Sequence, residues 1–140
     1  MHLRIEIKKD PQPADYEAIL LPLQAYNNAQ AEPSEVEKTA FLVIDEAGVT
    51  QGGLWARVAA RWLFVELLVV PEAARGQGIG SQLMDSAQTL AQQKGCVGIW
   101  LDTFSFQAPD FYRRLGFEVF GELKDYPPGH SRFYMQKRFD

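Results

Sequence analysis

Cysteine is almost missing from this chain of 140 residues. The only one, Cys96, cannot form an intramolecular disulfide, so a reducing compartment fits best. Histidine is nearly as scarce. His2 and His130 lie far apart, and with one cysteine they give no metal-ligand spacing, so no metal is expected. Positive charge is in deficit: 14 Lys and Arg against 18 Asp and Glu leave a net charge of −4 and a pI of about 5.2. That balance excludes the basic surface that non-specific nucleic-acid binding needs, and it leans toward a neutral or cationic partner. Long apolar runs are absent as well. None approaches a membrane span, and Met1 to Asp10 alternates polar and apolar residues without the continuous apolar stretch of a signal peptide. The expectation is a soluble, cytoplasmic protein that engages neither nucleic acid nor membrane.

An apolar share of 46% and a charged share of 23% are those of an ordinary globular chain, and 140 residues fit one domain, 1–140, able to bury a core. Alternation of Leu3, Ile5 and Ile7 with Arg4, Glu6 and Lys8 predicts a first strand. Ala14 to Gln30 is helical in composition, with Pro22 expected to kink or divide it, and Pro33-Ser34 reads as a further helix start. Strands are predicted over Ala40–Ile44, over Val49–Ala59 with a bulge at Gly52-Gly53, and over Trp62–Val70. The last is apolar on both faces except for Glu66, as suits a central strand covered on each side. Leu83, Met84, Ala87, Leu90 and Ala91 mark a helix over Ser81–Lys94. Val97–Leu101 then reads as a strand, Pro109–Leu115 as a short helix, and Phe117–Leu123 and Arg132–Phe139 as strands. The order β-α-β-β-β-α-β-α-β-β predicts an α/β fold, a mixed sheet with helices on both faces.

Between the central strand and the helix from Ser81 lies Arg75-Gly76-Gln77-Gly78-Ile79-Gly80. Glycines admit a close ligand, unsatisfied N–H groups at a helix start attract an anion, and Arg75 suits phosphate. The spacing excludes two other glycine loops. A dinucleotide fingerprint needs glycine where Ser81 stands, and a P-loop needs Lys after its glycines.

This loop resembles the Arg/Gln-x-x-Gly-x-Gly/Ala signature of the GCN5-related N-acetyltransferases, the GNAT family. Ala108-Pro109-Asp110-Phe111-Tyr112-Arg113-Arg114-Leu115-Gly116-Phe117 resembles that family's Ala-x-x-hydrophobic-Tyr-x-x-x-Gly-Phe block. The order and separation of the two blocks agree with the family. The resemblance implies a mostly antiparallel sheet whose fourth and fifth strands splay apart, with acetyl-CoA as acyl donor. Its pyrophosphate would lie on Arg75 to Ser81 and its pantetheine arm along the backbone of Leu68, Val69 and Val70. Tyr112 stands where the family often has a general acid that protonates the departing thiolate. Ser105 takes the place where many members have Asn, with Gln107 close by as a further cofactor contact. A homodimer through the C-terminal strands is also implied.

Glu66 stands out without the family. As the one charge between Trp62 and Val70, it is expected to be buried and hence a proton acceptor, or else paired with Arg57 on the neighbouring strand. Asp125, Tyr126 and His130, in the loop before the last strand, are candidates for reading the acceptor. Cys96 reads as a packing residue, and the run Phe104, Phe106, Phe111 as core. The expected activity is direct acetyl transfer to an amine in a ternary complex. The alternatives are a non-catalytic acyl-CoA binder on the same fold and a nucleotide-binding domain of another kind. Polyamine, aminoglycoside, amino acid and protein amine all remain open as acceptors.

Overall fold

The computed structural model describes residues 1–140, which divide into two compact units, Met1–Ser34 and Glu35–Asp140. In the first, the predicted strand is absent: residues 1–8 take no regular structure, and Leu3, Ile5 and Ile7 are 84, 98 and 85% exposed. Alternation makes a strand only where a neighbour takes the backbone hydrogen bonds and a core takes one face, and here neither is supplied.

Helix α1 (Pro13–Gln30) begins with Pro13 in its first turn, where a missing N–H does no harm. The Gln12 amide donates to the Asp15 carboxylate at 2.7 Å. The helix runs through Pro22 undivided, so of the two expected outcomes, a kink or a division, the division does not occur. Proline removes one hydrogen bond, and the good helix formers Ala, Leu and Gln on both sides carry the helix past it. The helix start expected at Pro33-Ser34 does not form. That stretch is irregular and leads directly into the first strand.

The second unit is a six-stranded sheet. Its strands are β1 (Glu37–Ile44), β2 (Thr50–Ala59), β3 (Trp62–Val69), β4 (Gly98–Phe104), β5 (Glu118–Lys124) and β6 (Ser131–Arg138). Their order is β1-β2-β3-β4-β6-β5, and only the β3–β4 pairing is parallel. Helix α2 (Ile79–Gln93) forms the crossover between those parallel strands, and α3 (Pro109–Arg114) follows β4. The apolar stripe Leu83, Met84, Ala87 and Ala91 of α2 shares one buried core with Leu54 and Ala56 of β2, Leu63 and Val65 of β3, and Ile99 and Leu101 of β4. Met135 of β6 closes that core with no exposed surface.

Two irregularities shape the sheet. Val43 pairs with Gly52 and Ile44 with Thr50, which leaves Gln51 as the extra residue, next to the predicted bulge at Gly52-Gly53. Trp55 pairs with Leu67 and Ala56 with Val65, so Glu66 is the extra residue of a bulge in β3. One inserted residue reverses which face each later side chain meets. Before it, Leu63 and Val65 are buried; after it, Leu68 and Val70 pack on the core while Leu67 and Val69 stand 63 and 54% exposed. The central strand is therefore not covered on both faces, as its run of apolar residues had implied.

Candidate active site

Parallel strands point their C-terminal ends the same way, and at those ends β3 and β4 part. They pair only over Trp62–Val65 and Gly98–Leu101, although β3 continues to Val69 and β4 to Phe104. Each stays bound to its outer neighbour, β3 to β2 through Val69 and β4 to β6 through Phe104. The result is a wedge whose inner edges carry backbone groups without a strand partner, the splay that the family resemblance implied. Leu68 and Val69 lie on one edge, with Val70 just beyond the strand.

From Val69 the chain passes through a single 3₁₀ turn (Glu72–Ala74) into the glycine loop. Gly76 and Gly78 have φ of 81° and 79°, in the left-handed region that glycine enters without strain, and no atom lies within 4 Å of where a Cβ would stand. Gly80 serves differently: its missing Cβ would stand 3.2 Å from the Phe111 ring. Gly78 is the N-cap of α2 and has no side-chain cap; the first helical bond runs from the Gln82 amide to the Gly78 carbonyl at 3.0 Å. The N–H groups of Ile79, Gly80 and Ser81 are thus left without helical acceptors, and the first turn holds no acidic residue to compete with an anion. Gln77 and Arg75 are both exposed alongside.

Helix α3 seats Tyr112 at 8% exposure, its ring 5.1 Å from that of Phe111 and 5.9 Å from that of Phe117. Burial first, and the nearby Asp102 charge second, push its phenol up to about 12, so the group holds its proton at neutral pH. Cys96 is buried, and desolvation raises its thiol, as befits a packing residue and not a nucleophile.

Glu66 departs from expectation. Its side chain is 41% exposed and meets Arg57 Nε at 3.4 Å. The bulge turns it out of the core, which removes the desolvation on which its reading as a buried base depended. The alternative reading, an ion pair with Arg57, is what the structure shows. Glu66 is also the first β3 residue past the last β3–β4 pair, so its pair with Arg57 sits at the narrow end of the wedge, where the strands begin to part.

Ser105 and Gln107 are engaged within the chain. The Ser105 Oγ accepts the Ser131 amide at 3.0 Å, and the Gln107 Oε1 accepts the Phe104 amide at 2.8 Å. Asp125, Tyr126 and His130 share one exposed turn between β5 and β6, closed by the Tyr126 amide on the His130 carbonyl at 3.2 Å. Phe111 packs against the core as expected, but Phe106 does not: it is 56% exposed.

Sequence reasoning missed the Asp102–Arg132 pair, with Asp102 Oδ1 3.0 Å from the Arg132 guanidinium and both side chains mostly covered. The signal was there. Asp102 is a lone charge following an apolar strand, but the predicted strand stopped at Leu101.

A wedge between two parallel strands that leads into an uncapped helix start is the arrangement the family resemblance implied, and comparison with known proteins shows the family. A model of the acetyltransferase (GNAT) domain matches residues 37–119. Acetyltransferase Atu2258 of Agrobacterium fabrum is 38% identical over 122 residues, 87% of this chain and 89% of its own. The blasticidin-S acetyltransferase of Streptomyces morookaense is 43% identical over 109 residues, covering 77% of this chain and 79% of its own. The crystal structure of an acetyltransferase from Bacillus cereus superposes with a TM-score of 0.88 at 32% identity, covering 96% and 98% of the two chains. The chain belongs to the GNAT acetyltransferase family, and it is an enzyme of acetyl transfer from acetyl-CoA.

Proposed function

We propose that this chain acetylates an amine directly, with donor and acceptor bound together in the β3–β4 wedge. The pyrophosphate of acetyl-CoA lies on the free amides from Gly76 to Ser81 with Arg75 beside it, and the pantetheine arm follows Leu68, Val69 and Val70. The unprotonated amine nitrogen attacks the thioester carbonyl, the new C–N bond forms and the C–S bond breaks. Tyr112 gives its proton to the departing sulfur. The proton lost from nitrogen leaves through water toward Glu66, held by Arg57 at the narrow end of the wedge. Ser105 and Gln107 shape the wall of the site by fixing the end of β4. Asp125, Tyr126 and His130 face the acceptor.

The observation that carries this reading is the parting of β3 and β4 beyond Val65 and Leu101, with the uncapped start of α2 following from the end of β3. Tyr112→Phe keeps the ring and its packing, so fold and acetyl-CoA affinity should hold within a few-fold. General acid catalysis is worth on the order of 10²–10⁴ in rate, so kcat should fall by at least about tenfold. Thiol release from acetyl-CoA across an amine library measures it. A kcat within about twofold of the parent, with chemistry rate-limiting, makes Tyr112 a packing residue only. A non-catalytic acyl-CoA binder has no support among relatives named as acetyltransferases.

A further inference from the structure

The exposed end of β4 carries an arrangement of rings that the core does not need. Phe104 and Phe106 stack with centroids 5.2 Å apart and planes 3° apart, and Tyr126 stacks on Phe104 at 6.0 Å and 13°. His130 meets the Phe106 ring edge-on at 5.0 Å. Phe106 and Tyr126 nonetheless stand 56 and 46% exposed. Arg132 lies against this group, its Cζ 5.9 Å from the Phe104 ring and 5.2 Å from the Tyr126 ring.

We propose that these rings seat the acceptor, and that the acceptor is an amine carried on a flat, unsaturated ring system. The inference rests on the reading of the wedge as the place of acetyl transfer. Three observations carry it. The loops that carry the rings are tied down and the rings stack on one another: the Ser105 amide donates to the Ser131 carbonyl at 2.8 Å and the His130 amide to the Pro127 carbonyl at 2.9 Å. A preset stack loses little freedom when another flat ring joins it. Charge also suits an amine. Asp102 neutralises Arg132 at 3.0 Å, while the exposed Asp125 adds a carboxylate next to Tyr126. Position agrees as well, because Phe104 ends β4 on the side where β3 and β4 diverge. A polyhydroxylated amine would call for a row of hydrogen-bonding groups, whereas ring faces offer stacking and cation–π attraction.

The test compares benzylamine with cyclohexylmethylamine, equal in reach but flat and saturated respectively. Acetyl-CoA-dependent kcat/KM is measured for each, per unprotonated fraction, in the parent and in Phe106→Leu and Tyr126→Leu. Stacking of one ring supports a preference of about tenfold or more for benzylamine in the parent, collapsing toward parity in both variants. Melting with and without acetyl-CoA confirms that each variant is folded and binds the donor. Equal use of both amines by the parent overturns the inference, and so does a preference that survives both substitutions. Acetyl-CoA bound with neither amine acetylated overturns it too. In each of those cases the acetyltransferase reading stands on other amines; it fails separately if acetyl-CoA neither raises the melting temperature nor is consumed with any amine.

Discussion

The two halves of β3 have similar compositions and opposite surroundings. Trp62 to Val65 pair with strands on both sides, and Leu63 and Val65 are 0 and 4% exposed. Beyond the bulge at Glu66, the strand keeps only its β2 neighbour, and Leu67 and Val69 are turned outward. Burying apolar side chains is what holds a sheet on a helix, so the first half supports the fold. The second half keeps part of that burial through Leu68 and turns Leu67 and Val69 outward, with backbone groups free along the edge that faced β4. One inserted residue divides a strand into a half paired on both sides and a half with one edge open, the half proposed to receive the pantetheine arm.

Paired substitutions sharpen the comparison, and the largest effect falls in the first half. Leu63→Ala removes a fully buried side chain from the core between sheet and α2, and unfolding in denaturant should show a loss of about 2–5 kcal/mol. Val69→Ala, on an exposed site, should change stability by less than about 0.5 kcal/mol. It should raise the acetyl-CoA dissociation constant about threefold, as expected for lost apolar contact. Equal stability losses would mean that the halves do not differ as described.

Alkaline titration probes the buried tyrosine of α3. An unfolded tyrosine ionises near 10, whereas Tyr112 in the fold is pushed up to about 12. Folding thus favours the protonated form. Its contribution is fully present below about pH 10 and is lost as pH rises toward about 12, a swing of about 2–3 kcal/mol. Tyr112→Phe should flatten the stability–pH curve in that window by this amount, other groups being common to both proteins. Identical curves would show that the phenol is not desolvated.

The glycine loop, α2 and α3 were legible in the sequence because their signals are local: three alternate glycines, a 3.6-residue apolar stripe and a short amphipathic block. Leu3 to Ile7 misled because alternation reports a capacity to pair and says nothing about whether a partner exists. Glu66 misled because burial was inferred from its apolar neighbours, and a bulge is a property of two strands' register that one strand's sequence does not display. The exposed ring cluster at Phe104, Phe106 and Tyr126 depends on two loops meeting through Ser105 and Ser131, which are 26 residues apart.

At the start of α2, stability and binding should move in opposite directions. Ser81→Glu places a carboxylate in the first helical turn, where it stabilises the helix by about 0.3–1 kcal/mol. The same charge repels a pyrophosphate. The free protein should melt unchanged or slightly higher, while the upward shift produced by acetyl-CoA disappears. A shift as large as the parent's would put the phosphate site elsewhere.

The smallest effect belongs to the bulge residue itself. Glu66→Gln keeps size and removes charge, and because the Arg57–Glu66 pair is exposed, stability should change by less than about 1 kcal/mol. The informative measurement is the pH dependence of kcat/KM. If Glu66 receives the acceptor's proton through water, its loss matters most at low pH, where few amines are already unprotonated. The deficit, about threefold near pH 7, should then shrink as pH approaches the amine's own value of about 10. A carboxylate that only attracts the cationic acceptor behaves otherwise: Gln would raise KM, leave kcat alone, and the difference would fade in salt. A pH profile matching the parent in shape and height leaves Glu66 with a structural role, holding Arg57 across the Phe64 ring, over which its Cζ lies at 5.3 Å.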